Sequence, residues 1–399
     1  MMSLFAFPLT YLIGRKSYGH REKVFNTQYS YKGSLLTIGE GTQGFIEEGH
    51  KSLITKLDLA TGRIQQAVVP LKYGHSIAAL NDRHLLAVGY KSSSLSLIDR
   101  KEFKHIREIK LPEGYLSSGH FCVGEDELYV NLYPDDGTYK KKTGAIGVFN
   151  KVNFKLKEVI GTPGYAPHDL RFVRKDLLVS SIASAKSKSG YVYLPNEGYI
   201  SFLDTKLKKI TSSLNIKLNA TPTHVGVFDE DHIFVATNQY IPIENRKLLK
   251  DYLGTGQIKD KFLALSNFTF RQKKIAMSTP LVLVGSNNKK KMKFLNKAPG
   301  LQRRLLSFSI DKKRKEVFVT CGQSNLLLCL DGFTGDLKSQ HSGFDLGLSS
   351  LQGVCRLPDG NLALSDSERG IILYNPVKRE VIRKYDVTLN LSTHLEWVL

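Results

Sequence analysis

Cysteine is scarce: four residues in 399 (Cys122, Cys321, Cys329 and Cys355), with no Cys-x-x-Cys pair and no zinc-type spacing. A structural metal held by thiolates is therefore not expected. If Glu316 to Gly322 and Asn325 to Asp331 form a hairpin turning at Gln323 and Ser324, Cys321 faces Leu326 and Cys329 faces Phe318. The two sulfurs are then not cross-strand neighbours, and the cysteines are expected to be small buried apolar residues without a disulfide. Long apolar runs are also lacking. The run from Met1 to Gly14 has the length of a signal-peptide core but is too short to span a bilayer, and Arg15 and Lys16 follow it where a signal carries its charge first. Residues 1–22 thus read either as a degenerate export signal or as a packed N-terminal segment, and no other segment is long enough to cross a membrane.

Catalytic signatures are missing too. There is no G-x-S-x-G elbow, no H-E-x-x-H helix and no P-loop. Gly39-Glu40-Gly41-Thr42-Gln43-Gly44 has the letters of a dinucleotide fingerprint, but no amphipathic helix follows, so these glycines read as a strand turn. Acidic residues are outnumbered, 37 against 57 basic, giving a formal charge of +20. The basic residues fall in short clusters between strand-like runs: Lys140 to Lys142, Lys206 with Lys208 and Lys209, Lys289 to Lys293, and Lys312 to Lys315. They read as solvated turns, because a nucleic-acid groove interleaves its charges with exposed aromatics.

What is present is a repeated phrase. Helical periodicity is scarce, and short runs of Val, Ile, Leu, Phe and Tyr alternate with Gly, Asn, Asp and Lys turns. Seven apolar strands end in Asp or Asn, followed by a turn of about four residues and a basic-apolar strand. They end at Asp58, Asp99, Asn150, Asp204, Asn267, Asp331 and Asn375. A four-stranded propeller blade takes about 40–50 residues, so the spacing of these seven copies predicts an all-β, seven-bladed β-propeller of antiparallel four-stranded blades over residues 23–399. The Asx side chain bonds backbone two residues on and nucleates the turn between a blade's third and fourth strands. Blade two runs from Gly74 through His84 to Tyr90 and Asp99 to an outer strand at His105 to Leu111. A strand near Val24 to Tyr29 is expected to complete the last blade and latch the ring. Insertions are expected at Asp135 to Thr143, Ser184 to Asn196, Ile241 to Asp260 and Pro280 to Ala298, where long loops on one face build a binding surface.

Four histidines share one phase of the repeat: Gly74-His75, Gly119-His120, Pro167-His168-Asp169 and Thr223-His224. Each stands at the innermost strand of its blade, so all four should meet near one mouth of the axial channel. Neutral imidazoles there bind a transition metal, imidazolium binds an anion, and a histidine near neutral pH serves as a general base. Against these stands a structural role, in which each histidine ties neighbouring blades through backbone hydrogen bonds. His20, His50, His84, His105, His232 and His341 lie off this phase and read as ordinary surface or strand residues.

At these residues the chain resembles a bacterial propeller family catalogued as domain of unknown function 1513, over roughly Lys72 to Pro376. The resemblance is carried by Gly119-His120-Phe121, Gly144-Ala145-Ile146-Gly147-Val148-Phe149 and Gly164-Tyr165-Ala166-Pro167-His168-Asp169-Leu170. Thr223-His224, Gln239-Tyr240, Leu351-Gln352-Gly353-Val354 and Thr393-His394-Leu395 are similar to later segments. The resemblance implies an exported, periplasmic or envelope protein, near imelysin-type iron-uptake and di-haem oxidoreductase-like proteins. It departs from the family at Tyr73 and Thr223, which stand where arginines are expected beside the histidines, and it shows no twin-arginine leader.

Three functional expectations follow. The first is a monomeric, non-enzymatic envelope propeller that binds a partner protein or a metal-associated ligand through His75, His120, His168, Asp169 and His224. Its metal ligands would be His120, His168 and His224, and its cofactor a divalent transition metal. The second is a metal-dependent, lactonase-like hydrolase in which His168 or Asp169 moves protons, which requires further converging carboxylates such as Glu40 or Asp366. The third is a cytoplasmic basic scaffold for RNA or acidic proteins, disfavoured because the lysine clusters are spread over many blades.

Overall fold

The computed structural model describes residues 31–40, 51–135, 143–183, 186–187, 190–191, 198–216, 221–238, 281–285, 293–294, 305–322, 324–367, 369–389 and 394–399. These form strands with no helix among them, and so no helix long and apolar enough to cross a membrane. Residues 1–22, and with them the export-signal reading, lie outside the described residues.

Seven four-stranded antiparallel sheets follow one another along the chain. Blade 1 contains β1 (Ser34–Glu40), β2 (Ser52–Asp58) and β3 (Ile64–Val69). Blade 2 is β4 (Gly74–Ala79), β5 (His84–Gly89), β6 (Ser94–Asp99) and β7 (Lys104–Lys110). Blade 3 is β8 (Tyr115–Val123), β9 (Glu127–Pro134), β10 (Ala145–Asn150) and β11 (Leu156–Gly161). Blade 4 is β12 (Ala166–Arg174), β13 (Leu177–Ala183), β16 (Tyr199–Asp204) and β17 (Lys209–Asn215), with the small hairpin β14 (Lys186–Ser187) and β15 (Gly190–Tyr191) inserted. Blade 5 is β18 (Thr221–Val227), β19 (Ile233–Asn238), β20 (Leu281–Val284) and β21 (Lys293–Phe294). Blade 6 is β22 (Leu305–Asp311), β23 (Glu316–Cys321), β24 (Leu326–Asp331) and β25 (Leu337–Ser342). Blade 7 is β26 (Leu351–Arg356), β27 (Leu362–Asp366), β28 (Arg369–Asn375) and β29 (Glu380–Thr388).

The ring closes differently from the expected latch. Blade 7 is complete from its own contiguous strands, and blade 1 is the one that lacks an innermost strand until β30 (Glu396–Val398) pairs with β1, Trp397 opposite Leu35. The latch is therefore C-terminal, and Val24 to Tyr29 lie outside the described residues. Closure satisfies the free edge of β1 and puts Leu395 into the same apolar cluster as Leu35, Leu57, Leu373 and Tyr385.

Six of the seven Asx turns stand where the repeat placed them, between third and fourth strands. In five of them, at Asp99, Asn150, Asp204, Asp331 and Asn375, Oδ1 accepts both the second and third N–H groups that follow, at 2.7–3.0 Å. At Asp58 it accepts the third, from Thr61 at 2.7 Å, together with the Thr61 hydroxyl. The fourth residue after each Asx turns left-handed: Gly62, Phe103, Phe154, Lys208, Gly335 and Arg379 have φ between 53° and 75°. That conformation closes the loop so that the fourth strand folds back on the third. The seventh copy is a correction. The third strand of blade 5 is β20, not Leu263 to Asn267, which lies outside the described residues, and Pro280 to Ala298 is not an insertion because it carries β20 and β21.

The interblade layers are dry. Leu86, Val88, Leu95, Leu128, Val130 and Phe149 join blades 2 and 3, and Phe234, Ala236, Val317, Val319 and Leu328 join blades 5 and 6. All four cysteines are free, and Cys321 pairs with Leu326 and Cys329 with Phe318 in the register expected from sequence. Among the basic clusters that are described, Lys208 forms an ion pair with Glu127, and Lys206 lies 3.6 Å from Asp176.

Candidate functional site

The innermost strands of blades 2 to 7 each carry a register break near their start: at Gly74/Ser76, Ser117/Phe121, Pro167/Leu170, Pro222/Val225, Leu305/Phe308 and Leu351/Val354. A bulge re-aims the residue it inserts, and here the inserted residues include His75, His120, His168, Asp169 and His224. The four phased histidines thus converge, as their spacing predicts. Ring centroids lie 4.6 Å apart for His75 and His120, 5.1 Å for His120 and His168, and 4.9 Å for His168 and His224.

A fifth joins them. His394, just ahead of the closing strand β30, sets its ring centroid 4.9 Å from those of His75, His120 and His224, edge-on to the first two. Its dipeptide Thr393-His394 repeats Thr223-His224, which is the signal that could have placed it on the repeat phase. The phase was hidden because the innermost strand of blade 1 comes from the far end of the chain. The ring therefore draws on blades 1 to 5. In blade 7 the equivalent residue is Gly353, where an added Cβ would meet Ser365 Oγ at 2.7 Å and Leu395 at 3.1 Å. Gly119 keeps space for the cluster in the opposite sense: its φ is 99°, and a Cβ there would lie 2.5 Å from the His75 ring.

The blades are tied at this level by hydroxyls. Ser118 Oγ donates to Pro167 C=O, Ser181 Oγ to Thr223 C=O and Thr320 Oγ1 to Gln352 C=O, each from one blade to the next. The histidines are left to face one another. His75 Nε2 lies 3.0 Å from His120 Nε2. One ligand nitrogen from each of His75, His120, His224 and His394 falls within 4.8 Å of the other three. His224 is 4% exposed, and among the described residues neither of its ring nitrogens has a hydrogen-bond partner.

Asp169 stands behind the ring, buried at 1% exposure. Its Oδ2 accepts the Val225 N–H at 2.9 Å across the blade 4 to blade 5 boundary, and its Oδ1 accepts the Leu170 N–H at 2.9 Å. The same Oδ1 lies 3.5 Å from His120 Nδ1 and 3.5 Å from Arg171 Nε. Burial pushes this carboxyl up, against the opposing pull of Arg171 and the two backbone N–H groups. Burial also drives His120 and His224 well below the ordinary imidazole value, and neighbouring histidines push them the same way. His394 falls to about 3, from burial first and then the Arg171 charge. His120, His224 and His394 are thus neutral imidazoles near pH 7.

Beneath it the axial channel widens into a cavity of about 410 Å³ touched by all seven innermost strands. Its wall mixes apolar groups such as Phe172, Phe308 and Val354 with the charged side chains of Asp169, Arg171, Arg356 and Glu396. Of the carboxylates the hydrolase expectation needs, Asp366 is taken up elsewhere: its Oδ2 accepts the Ser349 and Ser350 N–H groups at 2.6 and 2.8 Å. The Glu40 side chain lies outside the described residues.

Solved structures resemble this ring of blades. Kuenenia stuttgartiensis hydrazine synthase matches with a TM-score of 0.59 at 14% identity, over 86% of this chain and 91% of that one. The WD40 β-propeller domain of Doa1 matches at 0.51 and 11%, covering 80% and 84%. Dihydro-heme d1 dehydrogenase NirN, in complex with DHE, matches at 0.51 and 13%, covering 90% and 68%. What these likenesses show is the propeller. No family model and no curated protein matches the chain, so the propeller part of the resemblance to domain of unknown function 1513 is supported and the family itself is not.

Proposed function

We propose that this propeller is a non-enzymatic metal-handling protein that holds one divalent first-row transition metal in its histidine ring. His75, His120, His224 and His394 would be the ligands, and His168 completes the ring beside them. The observation that carries the reading is His224: two buried ring nitrogens without a hydrogen bond, aimed at three other imidazoles within ligand reach. Such a group costs about 1–3 kcal/mol when left unsatisfied, and a metal would repay that cost.

The donor chemistry fits. Imidazoles kept neutral by burial are in the form that coordinates, and an all-nitrogen set suits zinc, copper, nickel or iron over magnesium or calcium. Asp169 fits the part of an outer carboxylate. Its contact with His120 Nδ1 fixes the ring so that Nε2 faces the other histidines, the arrangement that raises ligand basicity and orients the ring. The metal would supply Lewis acidity and a held charge at the channel mouth. The hydrolase reading is less well supported, because both oxygens of Asp169 are occupied by backbone N–H groups and Asp366 serves blade 7.

The test is elemental analysis of protein purified without an affinity tag, alone and after one equivalent of zinc, beside a variant with all five ring histidines changed to alanine. About one tightly held metal per chain in the parent and none in a folded variant is the expected result. Metal-free parent after zinc addition would overturn the proposal, and so would a Soret band showing that the ring holds haem. Together with the resemblance described above, the proposal extends to an exported protein acting beside iron-uptake or redox partners. Native protein recovered from the cytoplasmic fraction would argue against that extension.

A further inference from the structure

The cavity below the ring contains four charged side chains, and two of them, Asp169 and Arg356, have partners on the blades. Asp169 serves the two backbone N–H groups and His120. Arg356 turns toward the far end of blade 6, its Nε 2.9 Å from Asp311 Oδ2. Glu396 lies on β30 and lines the cavity.

Arg171 is different. It follows Asp169 by two residues on β12, and both side chains line the cavity. Among the described residues its one ion-pair contact is a long one, Nε to Asp169 Oδ1 at 3.5 Å, and the side chain is 46% exposed to the channel. Its charge is felt by both His224 and His394. A guanidinium offers five donors in a planar fork, and most of this fork is unspent.

We propose that the channel takes a small organic monocarboxylate, held at its charged end by Arg171 and with its apolar body against Phe172, Phe308 and Val354. The inference deepens the metal reading and rests on it for a second anchor. Four neutral imidazoles would leave a divalent metal with its full charge, which an anion in the cavity would offset. Two features favour one negative charge and a carbon body over inorganic phosphate. Two carboxyl groups, of Asp169 and Glu396, share the cavity, and a dianion is a poorer neighbour for them than a monoanion. The same wall carries Phe172, Phe308 and Val354, and burying a hydrocarbon body against them is favourable.

The experiment is calorimetric titration of benzoate, benzamide and inorganic phosphate into the full chain, with zinc and after chelator treatment, in the parent and in Arg171→Ala and Arg171→Lys. Benzoate should bind the parent, benzamide should not, and phosphate should bind more weakly than benzoate. Arg171→Ala should weaken benzoate by roughly 10- to 100-fold, and Arg171→Lys, which keeps the charge but loses the fork, by an intermediate factor. Equal benzoate affinity in parent and Arg171→Ala, both with native melting temperatures, would overturn the inference. Phosphate binding tighter than benzoate would overturn it as well. The two readings fail separately: benzoate binding that depends on Arg171 but not on zinc would sink the metal anchor and keep the carboxylate site. Zinc retained with no benzoate binding would do the reverse.

Discussion

Asp169 reaches from blade 4 to His120 of blade 3, Oδ1 to Nδ1 at 3.5 Å, while its other oxygen holds the Val225 N–H of blade 5. One carboxylate therefore fixes a ring member and a blade boundary together. Asp169→Asn keeps the shape but removes the charge that orients His120. It should weaken metal binding by about 10- to 100-fold and lower stability by about 1–3 kcal/mol, read by chelator competition and by urea unfolding of the metal-free protein.

His224 should separate binding from folding. In metal-free protein its two unsatisfied nitrogens are a burden, so His224→Leu is expected to leave the chelator-treated melting temperature equal or higher. The same change should abolish the rise in melting temperature that zinc gives the parent. A large drop in the metal-free melting temperature would show that the ring is there for packing.

Glu127 gives a pH prediction away from the site. Burial lifts its carboxyl, but hydrogen bonds from Lys208, Tyr129 and Lys157 outweigh that and hold it at about 2, against an ordinary 4.5. The carboxylate is favoured in the folded state, so its contribution is complete above about pH 4.5 and disappears as pH falls through about 2. Because Lys157 is 44% exposed, solvent screening reduces the gain to about 1–3 kcal/mol. Glu127→Gln should lose that stability at pH 7 and differ little from the parent at pH 2 in denaturant titrations.

The thiols should be inert. Burial pushes Cys122, Cys329 and Cys355 up to about 12 and Cys321 higher still. Iodoacetamide at pH 8 should label none of the four on the timescale in which it labels unfolded protein fully, with mass spectrometry as the readout.

Much of this was readable beforehand, for local reasons. An Asx turn depends on a side chain and the next few backbone groups, so Asp99, Asn150 and their counterparts announce the third strand of each blade. The exception follows the same logic. Leu263 to Asn267 has the letters of the phrase, but strand pairing in blade 5 went to Leu281–Val284, and nothing local to either segment could rank them.

The residues by themselves determined a seven-bladed ring, unpaired cysteines in the Cys321–Leu326 register, and the meeting of His75, His120, His168 and His224. They did so because turn chemistry and strand alternation have short range and repeat seven times. Only the tertiary structure decided that the ring closes through Glu396–Val398, that His394 is its fifth member, that serine and threonine hydroxyls tie the blades, and that Arg171 faces the cavity with its fork largely unspent. Closure and the blade ties depend on contacts between residues far apart in sequence, as over the 32 residues between Thr320 and Gln352 and the 357 between Thr37 and His394. Such contacts acquire an energy only once the sheets have stacked around the axis, and no pattern within one blade encodes them.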